Sequence, residues 1–289
     1  MPPSFADYRI VGPAGGPSSR GSQAWIAQAP ARLGCAEEVV IVPLGPLDDP
    51  TWTTVTGRLA HLASIRSPWL PSLIEAGRAP REHVPEARAV PEARAVREAW
   101  AVPEAWAVRE AWAVRDRPHA RPLGETSRGA ELRELAGAAR GAHDLHQAGW
   151  AHGDIREGTV LVAEGRGLLD LPLRAAAAQA PEVARIDEPV ELDGVEPDRL
   201  WGAGPTRASD VYALGALVHR RLTGALLHPD LPGDPLVTAA QRALLEHPRL
   251  DPRLEGAAAD LVRECLDPDP ARRPSSALAV AERLEELAA

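Results

Sequence analysis

Lysine and asparagine are both absent from the 289 residues of this chain. Any mechanism that needs a lysine ammonium group or an asparagine amide is therefore excluded. The chain is rich in alanine, arginine, glycine and proline, so a compositional bias in the coding DNA is one sufficient cause of both absences. Arginine alone must then supply every permanently positive side chain.

Other scarcities exclude whole classes of protein. The two cysteines, Cys35 and Cys265, lie far apart and in no metal-like spacing, which argues against a disulfide framework or a zinc site. No apolar run reaches the roughly 18 residues of a membrane span, and the N-terminus lacks a signal-peptide pattern. A net charge of -9 and no basic stripe disfavour nucleic acid and anionic membranes as partners. We expect a cytoplasmic protein without membrane insertion.

The order of predicted elements indicates an α+β protein with two lobes. Strands are predicted at 8–11, 22–28, 37–44 and 70–77, with a Gly/Pro/Ser stretch after the first and a helix at 51–66. After Gly124 the chain becomes helical, with predicted helices at 131–149, 209–224, 255–269 and 275–289. These patterns place a β-rich N-lobe at 1–118 and a mostly helical C-lobe at 119–289.

Residues 84–113 contain five copies of a six-residue unit such as VREAWA. A helix advances 240° over six residues, so the valines would not share a face, and Pro85, Pro91 and Pro103 disfavour both helix and sheet. The tract is interpreted as an insertion in the N-lobe at about 84–113, with a repeat-built interaction strip as the alternative. The last copy, EAWAVRD, also reads as a strand with Trp112 and Val114 on one face, which suggests that a strand-encoding segment was duplicated.

Five short motifs follow in a fixed order, and together they carry a family resemblance. They are HGD at 152–154, LDLP at 169–172, EPD at 196–198, SDVY at 209–212 and RP at 273–274. In order and spacing the chain resembles the eukaryotic-like Ser/Thr protein kinase family from residue 8 to its end, apart from the repeat. The resemblance implies a two-lobed protein-kinase-like fold that uses ATP and Mg²⁺, in which catalysis depends on positioning and charge neutralisation.

In the N-lobe the resemblance implies that the phosphate-binding motifs differ from those of the family. The Gly-rich loop corresponds to Gly12, Gly15 and Gly16, followed by an over-long PSSRGS; a simple surface turn is the alternative interpretation. Val42 stands at the position of the strand lysine, and Arg58 at about that of the helix glutamate which pairs with it. Both halves of that ion pair are therefore expected to be missing.

In the C-lobe the resemblance assigns Asp154 as the proton acceptor, with Arg156 as the basic residue two positions later. Thr159 stands where the family has a magnesium-binding asparagine, and a neutral hydroxyl is a poor replacement for a carbonyl ligand to a hard cation. Asp170 matches the magnesium-binding aspartate of the Asp-Phe-Gly motif; a carboxylate that caps a turn is the alternative. Gly153 replaces the arginine that contacts a phosphorylated activation segment, so that route of activation is not expected.

The remaining motifs are expected to maintain the fold. His152 should support the loop as a core residue, and Pro172 removes the flexibility of the family's glycine. Asp198 is placed where a glutamate pairs with Arg273. Asp210 should hold the backbone of the HGD loop by hydrogen bonds.

Two hypotheses follow from these losses. The first is a pseudokinase that binds a protein partner and has weak or no ATP binding. The second is an unconventional Ser/Thr kinase that uses Asp154 as base, Asp170 for Mg²⁺ and an arginine such as Arg156 in place of lysine. A small-molecule phosphotransferase is a variant of the second, because HGD also occurs in aminoglycoside-kinase-like enzymes, although SDVYALG at 209–215 counts against it.

Overall fold

A computed structural model describes residues 8–13, 24–31, 38–79, 109–116, 120–123, 126–178, 189–231 and 235–289. The chain divides into two compact units. The first contains Met1–Ser64 and Ser72–Arg117, and the second contains Ile65–Pro71 and Pro118–Ala289. Gly15, Gly16 and most of the hexapeptide repeat lie outside the described residues.

The first unit is built on a five-stranded antiparallel sheet with one long helix. The strand order is β1-β2-β3-β5-β4, so that the strand latest in sequence is inserted between β3 and β4. Its elements are β1 (Arg9–Pro13), β2 (Trp25–Gln28), β3 (Glu38–Leu47), α1 (Asp49–Ser64), β4 (Leu73–Ala79) and β5 (Arg109–Asp116).

The two faces of this sheet follow from the alternation of its sequence. Val39 and Ile41 of β3 pack with Trp112 and Val114 of β5 in one buried cluster, because side chains two apart share a face of a strand. The strand predicted for the last repeat copy, with Trp112 and Val114 on one face, is therefore confirmed. Val42 lies on the opposite face.

Helix α1 forms where the apolar residues recur at helical spacing. Val55, Leu59 and Leu62 are buried on one side of the helix. Asp48 accepts a hydrogen bond from the Thr51 N–H at 2.9 Å and so caps the first turn.

The second unit is mostly helical and carries a small three-stranded antiparallel sheet in the order β6-β7-β8. Its strands are β6 (Ala120–Pro122), β7 (Val160–Ala163) and β8 (Arg166–Leu169). Its α-helices are α2 (Arg128–Gln147), α3 (Leu173–Ala177), α4 (Pro197–Leu200), α5 (Arg207–Thr223), α6 (Leu236–Leu245), α7 (Gly256–Cys265) and α8 (Ala277–Leu287). Short 3₁₀ turns lie at Glu157–Thr159, Pro189–Gly194 and Pro270–Arg272.

Helix α2 is the centre of this unit and packs directly on β8. A Cβ atom at Gly137 would lie 2.3 Å from the carbonyl oxygen of Gly167, and a Cβ at Gly167 would lie 1.7 Å from that of Glu134. Only glycine permits so close an approach of two backbones. This contact fixes β7 and β8, and with them the loop that joins α2 to β7.

Helix α6 was not predicted from the sequence, whereas the other long helices of this unit were. It packs with α4 and with the turn at Pro189–Gly194, around Leu192, Leu231 and Ala239. Among the described residues, no helix is long and apolar enough to cross a membrane.

Candidate active-site loop

The loop at 151–159 connects α2 to β7 and contains the residues to which the sequence assigned catalysis. Its anchor is Asp210, in the first turn of α5, which is 1% exposed. The Asp210 carboxylate accepts the N–H of His152 at 2.7 Å and the N–H of Gly153 at 2.8 Å. It also lies 2.8 Å from Nε2 of His146. The prediction that Asp210 holds the loop backbone is confirmed.

His152 is a buried support of the loop, as predicted. Its Nδ1 accepts the N–H of Asp154 at 3.1 Å, and its Nε2 lies 3.1 Å from the carbonyl oxygen of Asp170. An Nδ1 that accepts leaves the proton on Nε2, which then donates to Asp170. A single neutral tautomer therefore ties the HGD loop to the LDLP segment.

Gly153 has a conformation that suits no other residue well. Its φ is 75°, in the left-handed region, and a Cβ would lie 2.8 Å from both Arg199 Nη1 and Pro205 Cβ. The buried Arg199 donates to the Gly153 carbonyl oxygen at 2.6 Å. Glycine is therefore required here by the loop geometry, because Arg199 and Pro205 occupy the space that a side chain would need.

We expect Gly153→Ala to lower the free energy of unfolding by about 1–2 kcal/mol, because an alanine must adopt the left-handed conformation. The matched control is Gly158→Ala in the same loop, where the nearest atom to an added Cβ is 3.6 Å away. That variant should stay within about 0.5 kcal/mol of the wild type. Urea unfolding measures both, and equal stability of the two variants would contradict the geometry.

Asp154 is half exposed, and its carboxylate is paired with an arginine of the same loop. Arg156 Nε lies 2.8 Å from Asp154 Oδ1, and Arg156 Nη1 lies 3.4 Å from Glu191 Oε1. Glu191 belongs to the 3₁₀ turn at Pro189–Gly194. The arginine proposed to replace lysine thus lies between two carboxylates, and it neutralises the charge of the residue assigned as base.

Thr159 closes the loop on itself. Its hydroxyl accepts the N–H of Arg156 at 3.0 Å and lies within donating distance of the carbonyl oxygens of Asp154, at 2.9 Å, and Arg156, at 3.0 Å. One hydroxyl hydrogen serves both carbonyls. The hydroxyl at the asparagine position therefore acts as a backbone clamp.

Asp170 follows β8 and bonds to the turn that it begins. Its Oδ1 accepts the N–H of Leu171 at 2.8 Å, while its own N–H donates to the Thr159 carbonyl oxygen at 2.8 Å. Leu171 and Leu173 are buried, and Pro172 directly precedes α3 as its N-cap. These contacts agree with the capped-turn interpretation of the carboxylate.

The side chains at the two magnesium positions, Thr159 and Asp170, both bond to the backbone. No three His, Cys, Asp or Glu side chains among them are grouped closely enough to hold a metal ion. Thr159 directs its hydroxyl at the backbone, and one oxygen of Asp170 is bonded to an amide. Mg²⁺ in sites of this kind is held by one or two carboxylates together with substrate phosphates and water, so Asp170 would have to be the single carboxylate that the protein supplies.

The buried ion pair of the second unit differs from the prediction. Arg273 pairs with Glu196, and the two side chains are 2% and 5% exposed. Asp198, which the sequence reasoning assigned to Arg273, lies two residues further in α4 and is exposed. Arg273 also donates to the carbonyl oxygens of Asp267 at 2.8 Å and Ala208 at 3.0 Å. The assignment of Asp198 is wrong because α4 begins after Glu196, which leaves Glu196 on the inner side.

In the first unit, Val42 lies in β3 and is half-buried, opposite Ala113 of β5. Arg115 lies opposite Val40 and is 6% exposed. Residues two apart share a face, so Arg115 is on the same face of the sheet as Val42. Gly12 is in β1 and Arg58 is in α1.

Four residues of this region were missed by the sequence reasoning. Glu196 was visible in the EPD motif but was passed over for its neighbour, and Arg115 was part of the repeat. Arg199 and Glu191 had no local signal, since each meets its partner across more than 30 residues.

Known proteins similar to this chain are bacterial Ser/Thr kinases. Over 159 residues it is 31% identical to the serine/threonine-protein kinase PknK of Mycobacterium tuberculosis, a match covering 53% of this chain and 14% of PknK. Over 140 residues it is 31% identical to the serine/threonine-protein kinase drp72 of Corynebacterium efficiens, covering 47% of this chain and 26% of that protein. The chain thus spans a quarter or so of these relatives at most. No family model matches it.

The fold is shown by a solved structure. The kinase domain of Mycobacterium tuberculosis PknI superposes with a TM-score of 0.63 at 17% identity, covering 98% of this chain and 97% of that domain. The chain therefore has the protein kinase fold, with an antiparallel sheet followed by a mostly helical region. It is a protein-kinase-like domain related to bacterial Ser/Thr protein kinases.

Proposed function

We propose that this chain is a pseudokinase, a kinase-like domain that regulates a protein partner by binding it and that has weak or no ATP binding. One observation carries the proposal. The polar groups of the loop at 151–159 are bonded to the loop itself, with Asp154 paired to Arg156 and Thr159 bonded to the backbone. The contacts that maintain the fold, from Asp210 and Arg273, are complete.

The expected loss of rate is large. The strand lysine, its glutamate partner and a metal-binding asparagine are each replaced, and each preorganised group of this kind is worth about 2–4 kcal/mol in a transition state. The losses are not additive, but together they correspond to many orders of magnitude in rate. Val42 and Thr159 cannot restore them, because neither side chain carries a charge.

The test is a phosphotransfer assay on the purified chain and on Asp154→Ala, together with calorimetry of ATP binding with and without Mg²⁺. We expect no magnesium-dependent ATP binding, and no turnover by the wild type above that of Asp154→Ala. Magnesium-dependent binding with activity that Asp154→Ala abolishes would overturn the proposal. An active Ser/Thr kinase in the same assay controls for detection.

The second candidate is the unconventional Ser/Thr kinase, which transfers the γ-phosphate of ATP to a protein hydroxyl. The observation that favours it is the 53% exposure of the Asp154 side chain, which leaves one carboxylate oxygen open to a substrate. In this reading Arg156 must leave Asp154 for a phosphate. If the chain is such a kinase, Arg156→Met abolishes phosphotransfer. If it is a pseudokinase, the wild type and Arg156→Met give the same background signal.

A further inference from the structure

Strand β5 has a demanding environment, because it lies in the middle of the sheet. It pairs with β3 on one side and β4 on the other. Its five central residues, Ala111 to Arg115, are all buried. A strand in this place needs a bulky apolar side chain at the position of Trp112, which is 1% exposed, and a free N–H at each interior position.

The sequence contains a second segment that meets these needs. Residues 104–110 read EAWAVRE, and residues 110–116 read EAWAVRD. The first six residues of the two segments are identical, and the seventh is Glu110 in the first segment and Asp116 in the second. Residues 104–108 lie outside the described residues, so their sequence alone enters the comparison.

An exchange of the two copies preserves the faces of the sheet. The shift is six residues, and an even shift keeps every side chain on its side because the strand period is two. Trp106 and Val108 then take the places of Trp112 and Val114 in the apolar cluster. Pro103 takes the place of Arg109, the first residue of the strand, where proline is tolerated.

The other copies do not fit. A shift of twelve residues puts Pro103 at the place of Arg115, where the strand pairs on both sides and needs its N–H. A shift of eighteen puts Arg94 at the place of Trp112, which would bury a guanidinium in the apolar cluster. The one earlier copy also has an arginine, Arg88, in place of tryptophan.

We propose that β5 is a two-register strand, in which residues 104–110 exchange with Glu110–Asp116 between β3 and β4. In the second register the connection from β5 to β6 gains six residues and the connection from β4 to β5 loses six. Only residues 117–119 separate β5 from β6 in the first register, so the link between the two units becomes much longer. A ligand that binds one register more tightly than the other shifts the population toward that register.

The test uses Trp112→Arg, Trp106→Arg and the double variant in the full chain, with melting temperature as the readout. If the copies exchange, each single variant retains one good strand and melts within about 4 °C of the wild type. The double variant has no good copy left and loses about 10 °C or more. The proposal is overturned if Trp112→Arg lowers the melting temperature as much as the double variant while Trp106→Arg has no effect. It is also overturned if both single variants and the double variant have the same melting temperature.

A matched control removes the second copy. Deletion of residues 104–109 leaves a single EAWAVRD after Pro103 and locks the register. Trp112→Arg in that background should be as destabilising as the double variant in the full chain. If it is as mild there as in the full chain, the rescue does not come from the second copy and the proposal fails.

Discussion

Glu196→Ala should lower the free energy of unfolding of the second unit by about 3–5 kcal/mol, because it leaves the buried Arg273 guanidinium without its carboxylate. Both side chains are almost fully buried, so water cannot replace the lost partner. The guanidinium keeps the carbonyl oxygens of Asp267 and Ala208 and its contact with the Tyr212 ring, 5.2 Å from the ring centroid. Neutral acceptors do not compensate for the missing charge, since hydrogen bonds between ionised partners are about twice as strong.

The control for this experiment is Asp198→Ala, two residues away on the exposed side of α4. It should stay within about 0.5 kcal/mol of the wild type, although the family resemblance had assigned it the ion pair. Urea denaturation of both variants, with Glu196→Gln as an isosteric third, separates the two assignments. A large loss for Asp198→Ala with little for Glu196→Ala would show that the arginine pairs as the sequence reasoning had it.

Asp210→Ala should cost about 3–5 kcal/mol, because it removes the acceptor for two loop amides and leaves them buried. The bonds at 2.7 and 2.8 Å to the N–H groups of His152 and Gly153 involve a charged acceptor, and each such bond is worth about 1.5–3 kcal/mol. His146 Nε2 loses its contact as well. We expect the loop at 151–159 to become accessible to protease and to exchange its amide hydrogens faster, while the first unit keeps its protection.

Asp154→Asn is the matched control, an aspartate of the same loop that is half exposed. It should change the free energy of unfolding by about 0.5 kcal/mol or less, because solvent replaces its partner and an exposed pair with Arg156 is worth little. Hydrogen exchange with mass spectrometry distinguishes the two aspartates by peptide. If Asp210→Ala leaves the loop as protected as Asp154→Asn does, the loop is held by other contacts.

Much of the fold was predictable because it depends on local periodicity. The strands of the first unit and the helices α1, α2, α5, α7 and α8 carry apolar residues at a regular spacing, and their bounds shift by only a few residues. Helix α6 was missed although its apolar residues lie on one side, because it follows a proline-rich stretch. The role of Asp210 was also predictable, because the resemblance to the kinase family assigns the aspartate of the SDVY motif to the backbone of the HGD loop.

The sequence by itself determined which chemistry is excluded. A chain without lysine or asparagine cannot supply the strand ammonium or the metal-binding amide of a kinase, whatever its fold. The sequence also predicted that the last repeat copy can form a strand, because Trp112 and Val114 recur with the strand period of two. Both conclusions rest on residue type and local spacing, which folding does not change.

Only the tertiary structure decided which groups meet. Arg273 finds Glu196, Arg156 lies between Asp154 and Glu191, and the Thr159 hydroxyl turns to the backbone. These partners are set by the path of the backbone between distant elements, and a difference of two residues at the start of α4 exchanges a buried carboxylate for an exposed one. Spacing along the chain cannot resolve such a difference, because a hydrogen bond depends on tenths of an ångström in three dimensions.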